Sequence, residues 1–236
     1  MKRFYKEVSV AADGGGWSVM LDGKPVRTPG HAALLLPTQA LAEAVADEWR
    51  AQGDRIDLRT MPMNAIANAA IDKVLADTRA FVVPIARYAE GDLLCYRAED
   101  PPELVARQAD IWDPILDTAR ARYDIGFAIT QGIVHTAQPE ATVARLTAAL
   151  QAFDAFGLAA MQPLVTISGS LVIALAVADG SLEPNAAFEA AHLDELWQAE
   201  QWGKDDFALD ARAARRADFT AAAAFLALSR PPEPSA

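Results

Sequence analysis

Trp17-Ser-Val-Met-Leu-Asp-Gly-Lys-Pro-Val-Arg27 decides the class of fold. Its Asp22-Gly23 pair is a strong two-residue hairpin signal, because both residues tolerate the positive φ that a tight turn demands. Trp17–Leu21 is therefore expected as one strand and the segment from Lys24 as its antiparallel return. Upstream, Phe4-Tyr-Lys-Glu-Val-Ser-Val10 alternates as a half-buried strand, and Gly14-Gly15-Gly16 forms the turn between the two. No G-x-G-x-x-G spacing and no lysine-serine/threonine element follows those glycines, so the turn is not read as a phosphate loop. Downstream, Ala33-Leu-Leu-Leu36 reads as a further strand closed by Pro37. Thr38 then caps a helix running to about Gln52, with Leu41, Val45 and Trp49 on one face and Gly53 as its stop.

Beyond Thr60 the apolar period changes to that of helices. Asn64 to Ala76, Thr78 to Tyr88, a segment from Pro101-Pro102, Pro139 to Phe156, Gln162 to Ala178, Pro184 to Trp202 and Ala208 to Leu228 are the candidates. Asp113-Pro114 either kinks or restarts the segment that begins at Pro101-Pro102. Phe127 to Val134 reads as an extended piece. The expected fold class is α+β. A small β-rich N-terminal domain with one helix (1–65) precedes a larger all-helical domain (66–230), and 231–236 is a flexible tail.

The chain has 236 residues, 52% hydrophobic and 22% charged, as a globular protein does. Its net charge of −11 argues against nucleic acid and against docking on an anionic membrane. The most apolar run, Leu164 to Ala178, is shorter than the roughly 20 residues of a bilayer span and contains Ser168, Gly169 and Ser170, so a buried core helix is expected rather than membrane insertion. Cys95 is the only cysteine, which leaves no intramolecular disulfide and suits a reducing compartment. Met1-Lys-Arg-Phe-Tyr runs into a strand-like pattern with no signal-peptide core.

The chemistry-bearing stretch is His192-Leu-Asp-Glu-Leu-Trp-Gln-Ala-Glu-Gln-Trp-Gly203. At roughly 100° per residue, Phe188, His192, Glu195, Ala199 and Trp202 share one helix face, which sets a carboxylate in an apolar stripe. Three readings compete. Glu195 pairs with an arginine of the next helix, such as Arg212, Arg215 or Arg216. Alternatively, Glu195 and its aromatic neighbours face a partner protein. In the third, Glu195 and His192 form an acid–base pair of a small hydrolase or transferase, but no nucleophile element accompanies them. Glu189-x-x-His192 has di-iron spacing without the required second copy, so no metal is expected. Trp49 and Trp112 are more often core than contact residues.

Several segments together resemble a known family. They are Arg3-Phe-Tyr-Lys-Glu-Val, Leu21-Asp-Gly-Lys-Pro-Val-Arg-Thr-Pro29, Glu48-Trp49, Asp92-Leu-Leu-Cys-Tyr-Arg97, Trp112-Asp-Pro114 and Glu195-x-x-Gln198-x-x-x-Trp202-Gly203, in this order. The sequence is similar to the assembly chaperones that bind the free alpha subunit of the F-type ATP synthase. That resemblance implies a β-containing N-terminal domain, a helical C-terminal domain, no catalysis and no cofactor. It also implies alpha-subunit binding followed by release to beta; the free chaperone is expected as a monomer. Glu195 matches the family's acidic position in the C-terminal helix, and His192, Trp197, Gln198 and Trp202 are expected beside it at the partner surface. Trp49, with Trp112, is expected to pack the domains. Leu196 and Gly91 depart from the residues common in the family. The recognisable region begins at Arg3, which leaves no room for a mitochondrial import sequence, so a bacterial cytoplasmic protein is expected. Which side of the helix meets the client stays open: Glu195 and Trp202, or Leu193 and Trp197.

Overall fold

The computed structural model describes residues 1–203 and 206–231, so from residue 232 on the expected tail lies outside the described residues. It divides into two units. The first groups Met1–Thr78 with Asp154–Ala160 and the described residues from Ala221; the second comprises Arg79–Phe153 and Met161–Thr220. The fold is α+β, with the small sheet at the N-terminus and a larger helical part after it.

In the first unit, β1 (Val8–Asp13) pairs antiparallel with β2 (Gly16–Leu21) from Val8↔Leu21 to Asp13↔Gly16. Short strands β3 (Lys24–Pro25) and β4 (Leu35–Leu36) pair with opposite ends of β2, which is thus the central strand. Asp22 and Gly23 both take positive φ, 48° and 74°, as the hairpin reading requires. The first strand starts four residues later than its alternation suggests. The backbone N–H groups of Lys6 and Glu7 donate to Asp22 Oδ1 at 3.0 and 2.8 Å, so an aspartate satisfies a stretch read as ladder. Helix α1 (Gln39–Arg50) begins where Thr38 Oγ1 accepts from Leu41 N, and it buries Leu41, Ala42, Val45, Ala46 and Trp49. It ends at Ala51 in ordinary helical conformation, two residues before the glycine expected to stop it. Helix α2 (Pro62–Ala69) starts at a proline and continues as one π-turn, Ala70–Val74. Its free N-terminal amides are met by Glu48, whose two oxygens accept from Met63 N at 2.7 Å and Asn64 N at 2.8 Å. Burial pushes the Glu48 carboxyl above its usual range despite those two bonds.

Among the described residues, eight α-helices follow. They are α3 (Thr78–Ala86), α4 (Pro102–Tyr123), α5 (Glu140–Gln151), α6 (Ala155–Ser168), α7 (Leu171–Ala178), α8 (Pro184–Ala191), α9 (Leu193–Trp202) and α10 (Asp206–Ser229). Helix α4 runs unbroken through Pro114, and Asp113, rather than capping a restart, pairs with Arg97 at 2.7 Å. The expected extended piece shrinks to β6 (Thr130–Gln131), which lies parallel to β5 (Tyr96–Arg97). Two helices read as continuous are each two. Gly169, at φ 69°, ends α6, and Ser170 caps α7 by accepting from Ile173 N. Helix α7 is apolar all round because α4, α5 and α8 pack on it, and seven of its eight residues are buried. Among the described residues no helix is long and apolar enough to cross a membrane. The second break, at His192, shapes the candidate site.

Candidate functional site

His192 carries φ −109° and ψ 20°, so α8 stops there and α9 restarts after it. An unbroken helix would have placed His192 and Glu195 on one face; the break separates them. His192 is turned inward, 8% exposed, and its Nδ1–H donates to the Phe188 carbonyl at 2.9 Å. Its ring stacks on Phe188 with centroids 3.9 Å apart, and burial lowers its pKa from the ordinary histidine value. Arg216 lies 4.8 Å from the Phe188 centroid and pairs with Glu189 at 3.3 Å, so both ends of the suspected Glu-x-x-His motif are committed to packing within the unit.

Glu195 sits in the first turn of α9, where the helix dipole favours a negative charge. Its Oε1 accepts from Arg212 Nε at 3.0 Å and its Oε2 from Arg215 Nη2 at 2.8 Å. The Arg212 side chain is 12% exposed and Glu195 36%, so the pair is neither sunk in the core nor free in solvent. Glu195, Gln198, Ala199 and Trp202 form one wall of an open cleft of about 220 Å³, and Leu209 and Arg212 of α10 form the other. Trp202 is 81% exposed at its mouth. Gly203, at φ 94°, ends the helix at once after it.

The opposite face of α9 is occupied. Leu193 is buried, and the Trp197 ring lies 5.7 Å from the Arg107 guanidinium of α4. That guanidinium is bidentate to Glu200 at 2.6 and 3.0 Å, and Gln108 Nε2 donates to Asp194 Oδ1 at 2.8 Å. Asp194, Trp197 and Glu200 thus make a row, three residues apart, fastened to α4. Of the five residues expected at the partner surface, the structure gathers Glu195, Gln198 and Trp202 around the cleft. It sends Trp197 to the α4 side and His192 inward. Sequence reading missed Arg107, Gln108 and Glu200, whose partners lie 86 to 93 residues away. No local spacing signals such a pair.

The two tryptophans expected to pack domains each make hydrogen bonds within their own unit. Trp49 Nε1–H donates to Asn64 Oδ1 at 3.2 Å, and its carbonyl accepts from Tyr5 OH at 2.6 Å. Trp112, 1% exposed, donates to the Ala190 carbonyl at 2.8 Å, with Arg97 over its ring at 5.2 Å. Burial, with Asp92 nearby, pushes the Cys95 thiol up to about 12, so it stays protonated at neutral pH and behaves as a small apolar side chain.

A small N-terminal sheet with one long helix over it, followed by a larger helical part, is the fold of a class of assembly chaperones. The chain belongs to the ATP12 chaperone family, which serves ATP synthase assembly; residues 2–120 match that family's description, ATP12 chaperone protein. The crystal structure of Atp12 from Paracoccus denitrificans is 40% identical and superposes with a TM-score of 0.90, covering 97% of this chain and 98% of that one. The Agrobacterium tumefaciens protein Atu1473, described as a chaperone, is 43% identical over 97% of this chain and 86% of its own, with a TM-score of 0.93. The mitochondrial protein atp12 of Schizosaccharomyces pombe is 23% identical over 219 residues, 86% of this chain and 74% of its own length.

Proposed function

We propose that this chain holds the unassembled alpha subunit of the F-type ATP synthase and gives it up to beta, acting without catalysis or cofactor as a monomer in the bacterial cytoplasm. The single observation that carries this reading is the likeness to Atp12 along 97% of the chain. Two bacterial structures at 40% and 43% identity, against 23% for the mitochondrial relative, support the bacterial setting. An isolated subunit of an obligate ring exposes surface more apolar than an ordinary exterior. A transient holder must cover that surface and still yield it, which favours a few anchors over a broad greasy face. The cleft of α9 and α10 has this character: one open tryptophan, one amide, and a carboxylate whose arginines can exchange partners. The hydrolase or transferase alternative finds no support in the site, because the His192 Nδ1–H and both Glu195 oxygens are engaged elsewhere.

The test is capture of purified alpha subunit by the tagged chain, with beta added afterwards. A one-to-one complex that dissolves on adding beta is expected; no complex, or one that persists with beta, overturns the reading. Trp202→Ala locates the contact. An 81% exposed side chain contributes little to folding, so stability should change by no more than about 0.5 kcal/mol while alpha capture weakens about tenfold. Unchanged capture would move the contact off this cleft.

A further inference from the structure

The first unit carries a second concave surface that the cleft on α9 does not explain. Phe4, Tyr5, Leu21, Pro25, Val26 and Trp49 line one arm of it, of about 460 Å³. A second arm, a neighbouring concavity of about 260 Å³, shares Val26, Arg27 and Trp49 with the first and reaches Leu58 and Met61. Phe4 and Leu58, at 64% and 63% exposed, are large apolar side chains in open positions, one along each arm. Isolated exposed apolar residues mean little; two flanking one groove mean more.

The charges on this groove run against those of the chain. The protein carries −11 overall, yet the basic residues lining the groove are Lys24 and Arg27, both exposed. Among the described residues neither has a carboxylate within 4.0 Å, and Arg27 Nη1 donates only to the His31 carbonyl at 2.9 Å. Ten arginines elsewhere, Arg50, Arg59, Arg97, Arg107, Arg120, Arg122, Arg145, Arg212, Arg215 and Arg216, each hold an acid, while among the described residues Arg3, Arg55, Arg79 and Arg87, like Arg27, have none within 4.0 Å. The acid lining the groove, Asp22, accepts from the backbone N–H groups of Lys6 and Glu7, which hold its pKa below the usual range. In the second arm Asn68 Oδ1 is buried without a hydrogen-bond partner, an acceptor left for an incoming N–H.

We infer that this groove docks an apolar protein segment bearing acidic side chains: the apolar residues lie along Phe4, Trp49 and Leu58, and a carboxylate reaches Lys24 and Arg27. Complementary charge at the rim chooses the segment and excludes basic ones, while apolar burial supplies most of the affinity. The groove is built wholly from the first unit, so this inference stands apart from the alpha-subunit reading of the cleft.

The test uses the full chain and two fluorescein-labelled amphipathic peptides of the same leucine pattern, one with glutamates on its polar side and one with lysines. Fluorescence anisotropy should show the glutamate peptide binding about tenfold more tightly than the lysine peptide, and more weakly as salt rises. Lys24→Glu with Arg27→Glu should reverse that preference, whereas Arg87→Glu, an exposed charge reversal outside the groove, should leave it. Phe4→Ser, at a position 64% exposed, should weaken the glutamate peptide about fivefold with the unfolding midpoint read alongside. No binding, equal binding of both peptides, or a preference that survives the double reversal overturns the inference. So does a concentration-dependent dimer in sedimentation equilibrium that the double reversal dissolves, since the occupant would then be a second copy of the chain.

Discussion

Arg212 reaches Glu195 Oε1 with both Nε and Nη2 at 3.0 Å, and this contact ties the start of α9 to α10. The carboxylate is therefore both a fold contact and a cleft wall. The two roles separate by substitution. Glu195→Lys puts a third cation beside Arg212 and Arg215, and should lower stability by about 1–2 kcal/mol, read by urea unfolding. Glu195→Gln keeps the shape and one acceptor oxygen, and at this partial exposure should cost no more than about 1 kcal/mol. If capture of alpha falls with Lys but not with Gln, the loss reflects a loosened helix pair; a fall with both marks the carboxylate as a contact.

The α+β class was legible because the Asp22-Gly23 hairpin, the Thr38 cap and the Leu41–Val45–Trp49 stripe are local patterns with local causes. The helix breaks at Gly169 and His192 were not. Either residue is tolerated within a periodic apolar run, and what ends the helix is packing that only the folded chain supplies: Ser170 capping α7 in one case, Phe188 and its partners receiving the imidazole in the other. The site was half legible for the same reason. Glu195, Gln198 and Trp202 follow one helical face. His192 left that face with the break, and the Arg107–Glu200 and Gln108–Asp194 contacts that fix the far side of α9 join residues remote in sequence.

Glu48 gives a second prediction. It lies near the end of α1 but serves α2, whose Met63 and Asn64 amides have no intrahelical acceptor. Truncation leaves both donors without the carboxylate, so Glu48→Ala should destabilise by about 2 kcal/mol. Glu48→Gln, which keeps one acceptor, should cost less. Thermal unfolding with the Trp49 environment as reporter would rank them; equal losses would show that packing rather than capping matters at this position.

Gly30 gives a third. Its N–H donates to Asp72 Oδ2 at 2.9 Å while Thr28 Oγ1 donates to Oδ1 at 2.6 Å, which clamps the loop after the hairpin onto the π-turn. A Cβ built on Gly30 would lie 2.7 Å from Asp72 Oδ1, so Gly30→Ala must push the carboxylate away from Thr28. A loss of about 1–2 kcal/mol is expected. In an Asp72→Ala background the same change should cost little, and a double-mutant cycle measures the difference. Additive losses would place the cause in the backbone instead.

The pH dependence of stability should carry the mark of Asp92. This side chain is 1% exposed, and burial pushes its carboxyl up to about 6 even though it accepts from Leu94 N at 3.1 Å and Val172 N at 3.0 Å. An unfolded aspartate titrates near 4. Between about 4 and about 6 the folded chain therefore binds more proton than the unfolded one, and this group's contribution falls as pH rises through that window. His192 tilts the other way: burial lowers its pKa, so acidification through its ordinary range near 6.5 favours the unfolded state. The raw curve sums both, and the informative quantity is the difference between the wild type and Asp92→Asn. The substitution should destabilise at every pH, because an amide offers one acceptor where two N–H groups point. Between pH 7 and pH 5, however, the wild type should gain about 1 kcal/mol over the variant in urea unfolding. A difference that stays flat across that interval would mean Asp92 is already ionised at pH 5, held by its two amides more strongly than burial opposes them.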